Sequence, residues 1–258
     1  PWDGFSLKEH QHHSRKNKRE NMISDSKLNV YRYELDKIKN VWFKVFLITL
    51  VIQMLFFMFF SFVGVFDESA DTISSFQGII ALSNTVSMCG ISIYGAVLLR
   101  KELVRFYVGN HRNRTFLFPI DRKELLVKKT SSFYVIILSS FGSALLISFV
   151  TEVLLNLILK FHSSNLFFEI YLGFITIVTS CSLLFVILIL SEIISIWKQS
   201  EIASIITSVV LMLIYSNFSA MGLMNFPTIT FLFSTIMGLM LVWLFLKFSD
   251  KLCDMEVY

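Results

Sequence analysis

RKELVRFYVGNHRNRTFLFPIDRKELLVKKT, residues 100–130, is the stretch on which the reading of this chain turns. It is the one long polar run between two strongly apolar blocks. Nine of its positions are Lys or Arg (100, 101, 105, 112, 114, 122, 123, 128, 129) and three are Asp or Glu (102, 121, 124), so the run carries +6 while the whole chain carries +4. A short basic loop between apolar spans stays on the cytoplasmic side of a bilayer. The run therefore sets an expected orientation, and it is the expected place for a soluble partner to engage.

On either side of it the chain is mostly soluble in hydrocarbon. Hydrophobic residues make up 55% of the 258 positions and charged residues only 16%, against about 25% charged in soluble domains. Apolar runs at about 41–66, 76–99, 131–155, 167–197, 202–218 and 231–248 are of the length that crosses a bilayer core of roughly 30 Å. They predict an all-α integral membrane protein of six transmembrane helices with both termini on the cytoplasmic side. The basic excess lies where cytoplasmic loops belong and answers to anionic lipid rather than to nucleic acid. Cys89 and Cys181 fall inside apolar runs and Cys253 in the C-terminal tail, which excludes an extracellular disulfide framework.

Residues 1–21 read as a polar tail that need not belong to the natural chain, with Met22 as an alternative start, and residues 22–258 as one domain. Ser24 to Asn40 reads as an amphipathic helix, with Leu28, Tyr31, Leu35 and Ile38 at three- and four-residue steps and basic residues on other faces. It suits either a helix lying in the inner interface or one packed beneath the bundle. The second span is the most polar, with Gln77, Ser83, Asn84, Thr85, Ser87 and Ser92, and is expected at the centre of the assembly. Gln77, Asn84, Thr85 and Ser87 are its candidate substrate-path residues; plain helix packing is the alternative reading. Glu152 falls towards the outer end of the third span. Glu192, less than two turns from Lys198, is expected at the inner interface, with a buried functional carboxylate as the alternative reading. The uncharged connection 219–230, with Gly222 and Pro227, is expected to re-enter the outer leaflet.

Chemistry is conspicuous by what is missing. No G-x-x-x-x-G-K-[ST] phosphate loop occurs, so the chain is not expected to bind ATP itself. None of the five histidines falls in a span, and no metal site is expected. No nucleophile elbow and no acid/base constellation appears, so neither catalytic residues nor enzymatic activity are expected of this chain.

The basic run also resembles a known family. Tyr107-Val108-Gly109, Arg112 and Arg114, then Phe116-Leu117-Phe118-Pro119-Ile120-Asp121-Arg122 and Leu125-Leu126-Val127-Lys128 resemble the pattern between the second and third spans of type-2 ABC transporter permeases. The six-span layout from Met22 onward is similar too, and size and composition look most like permease subunits of Gram-positive bacteria that export peptides or confer immunity to them. The resemblance implies a separate ABC ATPase, carrying ATP and Mg, docked under the 100–130 loop. By it, Gly109, Arg112, Arg114, Pro119, Asp121 and Arg122 form the coupling element. It also implies a second permease (a copy or a paralogue), a route lined by spans two and five, an amphipathic peptide substrate and a place in the cell membrane. Two other classes stay open: a membrane anchor or sensor that holds a cytoplasmic partner without transport, and a lipid-directed membrane enzyme.

Overall fold

A computed structural model describes residues 38–64, 75–108, 122–159 and 166–254. Gly109, Arg112, Arg114, Pro119 and Asp121 of the expected coupling element lie outside the described residues, as does the expected amphipathic helix up to residue 37. Arg122 is described only as the first residue of a helix.

Six helices are long and apolar enough to cross a membrane, and no strand occurs among the described residues. They are α1 (Ile38–Gly64), α2 (Phe76–Tyr107), α3 (Arg122–Leu159), α4 (Leu166–Trp197), α5 (Ala203–Asn225) and α6 (Pro227–Asp254). The chain is a multi-pass membrane protein. Hydrocarbon offers backbone groups no water, so each crossing segment must satisfy its own N–H and C=O groups, and a helix does so.

The helix ends follow from local chemistry. Ser75 caps α2, its Oγ accepting from the Gly78 N–H at 3.1 Å. At the basic end α4 closes in a Schellman turn. There the Ser200 N–H donates to the Ser195 carbonyl and the Gln199 N–H to the Ile196 carbonyl, both at 3.2 Å. Gln199 holds the left-handed position, φ 50°, where glycine is usual.

The 219–230 connection does not re-enter as a separate element. α5 runs on to Asn225, Phe226 alone breaks the helix (φ −139°, ψ 61°), and Pro227 opens α6. Proline suits a first helical position because its missing N–H has no partner to lose there. Gly222 lets the two helices close, since a Cβ at that position would stand 2.5 Å from Thr230 Oγ1. The segment is the tip of a helical hairpin between two apolar helices.

The centre of the bundle is α4, not α2. Its apolar window is 72% buried, against 56% for α2 and for α3. α4 packs on α2, α3, α5 and α6. It can do so because the hydroxyls of Thr176, Thr179, Ser180 and Ser191 donate to carbonyls one turn back on α4 itself. Those four hydroxyls therefore demand nothing from the apolar helices around α4. By contrast α5 is only 11% buried and α1 and α6 28% each. Their apolar outer faces carry no penalty in a bilayer, where lipid is as apolar as leucine.

Candidate functional site

The polar residues of α2 divide between two interfaces. The first is with α5 and runs the length of both helices. Near one end the Gln77 carboxamide donates to the Leu223 carbonyl at 3.1 Å. Two turns on, Thr85 Oγ1 and Ser219 Oγ are 3.1 Å apart, and Thr85 also donates to the Ala81 carbonyl at 2.7 Å. Further along, Ser208 Oγ donates to the Ser92 carbonyl at 3.1 Å. At the basic end Arg100 pairs with Glu201, N···O 3.4 Å. The four ties recur because the helices are antiparallel: advancing along α2 from 77 to 100 retreats along α5 from 223 to the turn before it, at 201.

The Arg100 end carries a distortion. Residues Arg100–Val104 form a π-turn inside α2, after which Arg105–Tyr107 resume the α-helix and Val108 turns extended (φ −125°, ψ 140°). Such turns occur mostly as isolated bulges at functional positions. Arg100, Lys101 and Arg105 line an open cleft of about 440 Å³ with Val97 and Glu201. The first residues of the basic run are thus held against α5 before the chain leaves the described segment.

The second interface of α2 is with α1 and α3. Ser87 Oγ donates to Gln53 Oε1 at 2.7 Å, and Gln53 Nε2 donates to Ser83 Oγ and to Glu152 Oε1, both at 2.9 Å. Gln53 and Glu152 are each 1% exposed. Of the four candidate path residues, Gln77 and Thr85 therefore face α5 and Ser87 faces α1. Asn84 is buried with its Nδ2 lacking a partner.

Glu192 is fully buried, whereas its distance from Lys198 predicts the interface. It accepts from Thr130 Oγ1 at 2.7 Å and Tyr134 Oη at 2.8 Å, so α3 supplies a donor to each carboxyl oxygen. That hydroxyl pair sits beside an apolar groove of about 500 Å³ between α3, α4 and α6, lined among others by Val127, Phe185 and Phe245. Two hydroxyls one turn apart on α3 draw the carboxyl inward, and spacing along α4 alone carries no sign of them.

Sequence reading missed Gln53, Glu201 and Ser219 as members of these contacts. For Gln53 there was a signal. It is the one amide between residues 41 and 66, and an isolated strongly polar residue in an apolar span faces a partner rather than lipid. For Ser219 and Glu201 there was none, because serine and interfacial glutamate are common in such positions. No family model, curated protein or solved structure matches the chain.

Proposed function

We propose that the chain is the membrane permease of an ATP-driven exporter in the cell membrane, moving amphipathic peptides as part of toxin secretion or antimicrobial-peptide immunity. It works with a second permease and a separate ABC ATPase that holds ATP and Mg. The observation that carries this reading is the α2–α5 seam. Polar contacts run from Gln77 to Arg100 along one antiparallel pair, and that pair is the one the family resemblance assigns to the route. The seam ends at the π-turn from which the basic run departs. A displacement of that run is therefore delivered to both helices, through the Arg100–Glu201 pair.

The resemblance gives Gly109, Arg112, Arg114, Pro119, Asp121 and Arg122 the docking role, and the contacts of Gln77 and Thr85 with α5 support their assignment to the path. The weakly buried α5 offers a long apolar face to lipid or to the second permease. Nothing in the chain offers a chemical engine, so force must come from outside it.

The test is a reconstituted complex of this chain with its co-purifying ATPase. Replacing Arg114 and Arg122 by Glu is expected to lower ATP hydrolysis at least tenfold without dissociating the permease pair. Arg100→Glu is expected to leave hydrolysis intact while lowering peptide export, and pairing it with Glu201→Arg to restore export. Full hydrolysis and full export in every variant would refute the coupling role. A chain that brings down no ATPase would favour an anchor or sensor instead.

A further inference from the structure

The π-turn of α2 gathers three cations on one face. In an uninterrupted α-helix each residue turns the chain by about 100°, so residues five apart point about 140° away from each other. Here the Arg105 N–H donates to the Arg100 carbonyl, a bond between residues five apart that sets one above the other. Lys101 joins them, and Arg100, Lys101 and Arg105 line one open cleft of about 440 Å³. Among the described residues that line it Glu201 is the one acid, so three cations meet one carboxylate. That carboxylate does not use them up. Glu201 Oε2 accepts from Arg100 Nε and from one terminal nitrogen, both at 3.4 Å, and a long, partly exposed pair of this kind holds its partners loosely. Lys101 and Arg105 are exposed.

The cleft stands at headgroup depth. Arg100 follows the 24 residues from Phe76 to Leu99, about 36 Å of helix, and the hydrocarbon core of a bilayer is about 30 Å thick. On the side towards the core the lining turns apolar. Val97 belongs to it and is exposed, as are Ile93, one turn deeper on α2, and Ile202, next to Glu201 in the chain. A wall that is cationic at the rim and apolar below matches the two ends of a phospholipid. Guanidinium groups take phosphate oxygens in pairs and an ammonium takes them as a point charge, while the apolar row meets an acyl chain.

We propose that the cleft of Arg100, Lys101 and Arg105 binds the headgroup phosphate of an anionic phospholipid from the leaflet on the basic side, with an acyl chain along Val97 and Ile93. A zwitterionic lipid offers the same phosphate together with an ammonium group, which three neighbouring cations repel. The site therefore selects by net charge and not by phosphate alone. It does not depend on the transport reading, because it needs only the end of α2 and the turn before α5.

The test is native mass spectrometry of the full chain released from phosphatidylcholine vesicles that contain a minor share of phosphatidylglycerol. The chain is expected to retain phosphatidylglycerol well beyond that share. Lys101→Gln and Arg105→Gln are each expected to lower its retention roughly fivefold, with retained phosphatidylcholine unchanged. Lys247→Gln, an exposed lysine at the same side of the membrane on α6, should change nothing. Undiminished retention in the double variant Lys101→Gln, Arg105→Gln overturns the proposal. So does an equal loss in Lys247→Gln, which would mark diffuse attraction to the whole basic side. Release of the lipid by inorganic phosphate would mark a site for the free anion and overturn the lipid assignment. Retention by the chain alone that vanishes in the complex with its ATPase would make the cleft a protein contact and overturn it as well. If the double variant does not fold, Lys101→Gln alone reads the same site.

Discussion

Replacing Gln53 by Leu removes a side chain through which α1 bonds to both α2 and α3. The native amide makes three side-chain hydrogen bonds, at 2.7 Å to Ser87, 2.9 Å to Ser83 and 2.9 Å to Glu152. Hydrogen bonds between membrane helices are worth about 0.6 kcal/mol each on average, so losing all three without recovery would cost at most about 2 kcal/mol. The loss will not be shared equally. Ser83 already donates to the Ile80 carbonyl, and a serine on a helix can turn to a carbonyl of its own preceding turn. Ser83 and Ser87 thus recover most of what they lose, while Glu152 Oε1 has no other donor. The cost should therefore fall mainly on the Gln53–Glu152 pair. Reversible unfolding in lipid–detergent mixtures measures it. Gln53→Leu is expected to cost about 1 kcal/mol in the native chain and in a Ser87→Ala background, but well under half that in a Glu152→Leu background. Equal costs in all three backgrounds would refute the claim that Glu152 depends on Gln53. A total cost below about 0.5 kcal/mol would refute the hub itself.

Two further outcomes follow from the packing and the turns. Gly173 of α4 sits against the ring of Phe149, and a Cβ there would overlap the ring edge. Gly173→Ala is expected to lower stability by about 1–3 kcal/mol, measured in the same unfolding assay, and Phe149→Leu in the same chain should restore part of it. Gln199 holds a left-handed backbone that costs an L-residue about 1–2 kcal/mol. Its side-chain bond to the Ile196 carbonyl at 3.0 Å offsets only part of that, so Gln199→Gly should raise the thermal midpoint by a few degrees, and a lower midpoint would contradict the strain argument.

The sequence alone determined the class, the number of spans and nearly all their positions. In a bilayer each crossing segment must be apolar and must bond its own backbone, so both requirements are written into consecutive residues. The predicted span 167–197 coincides with a membrane-crossing helix, and the others differ only at their ends. The family resemblance rests mainly on residues 109–121, beyond the described segments, and stays a reading of sequence.

Only the tertiary structure decided which helix is central and where the polar groups meet. Lipid and protein neighbours are equally apolar, so hydropathy cannot separate a face turned to lipid from one turned to α4. Glu192 was expected at the interface and is buried, because its donors Thr130 and Tyr134 are 62 and 58 positions away in sequence. The same holds for Gln53, whose partner Glu152 lies 99 positions on. Hydrogen bonds between helices pair residues across the bundle, and nothing local to either residue specifies the other.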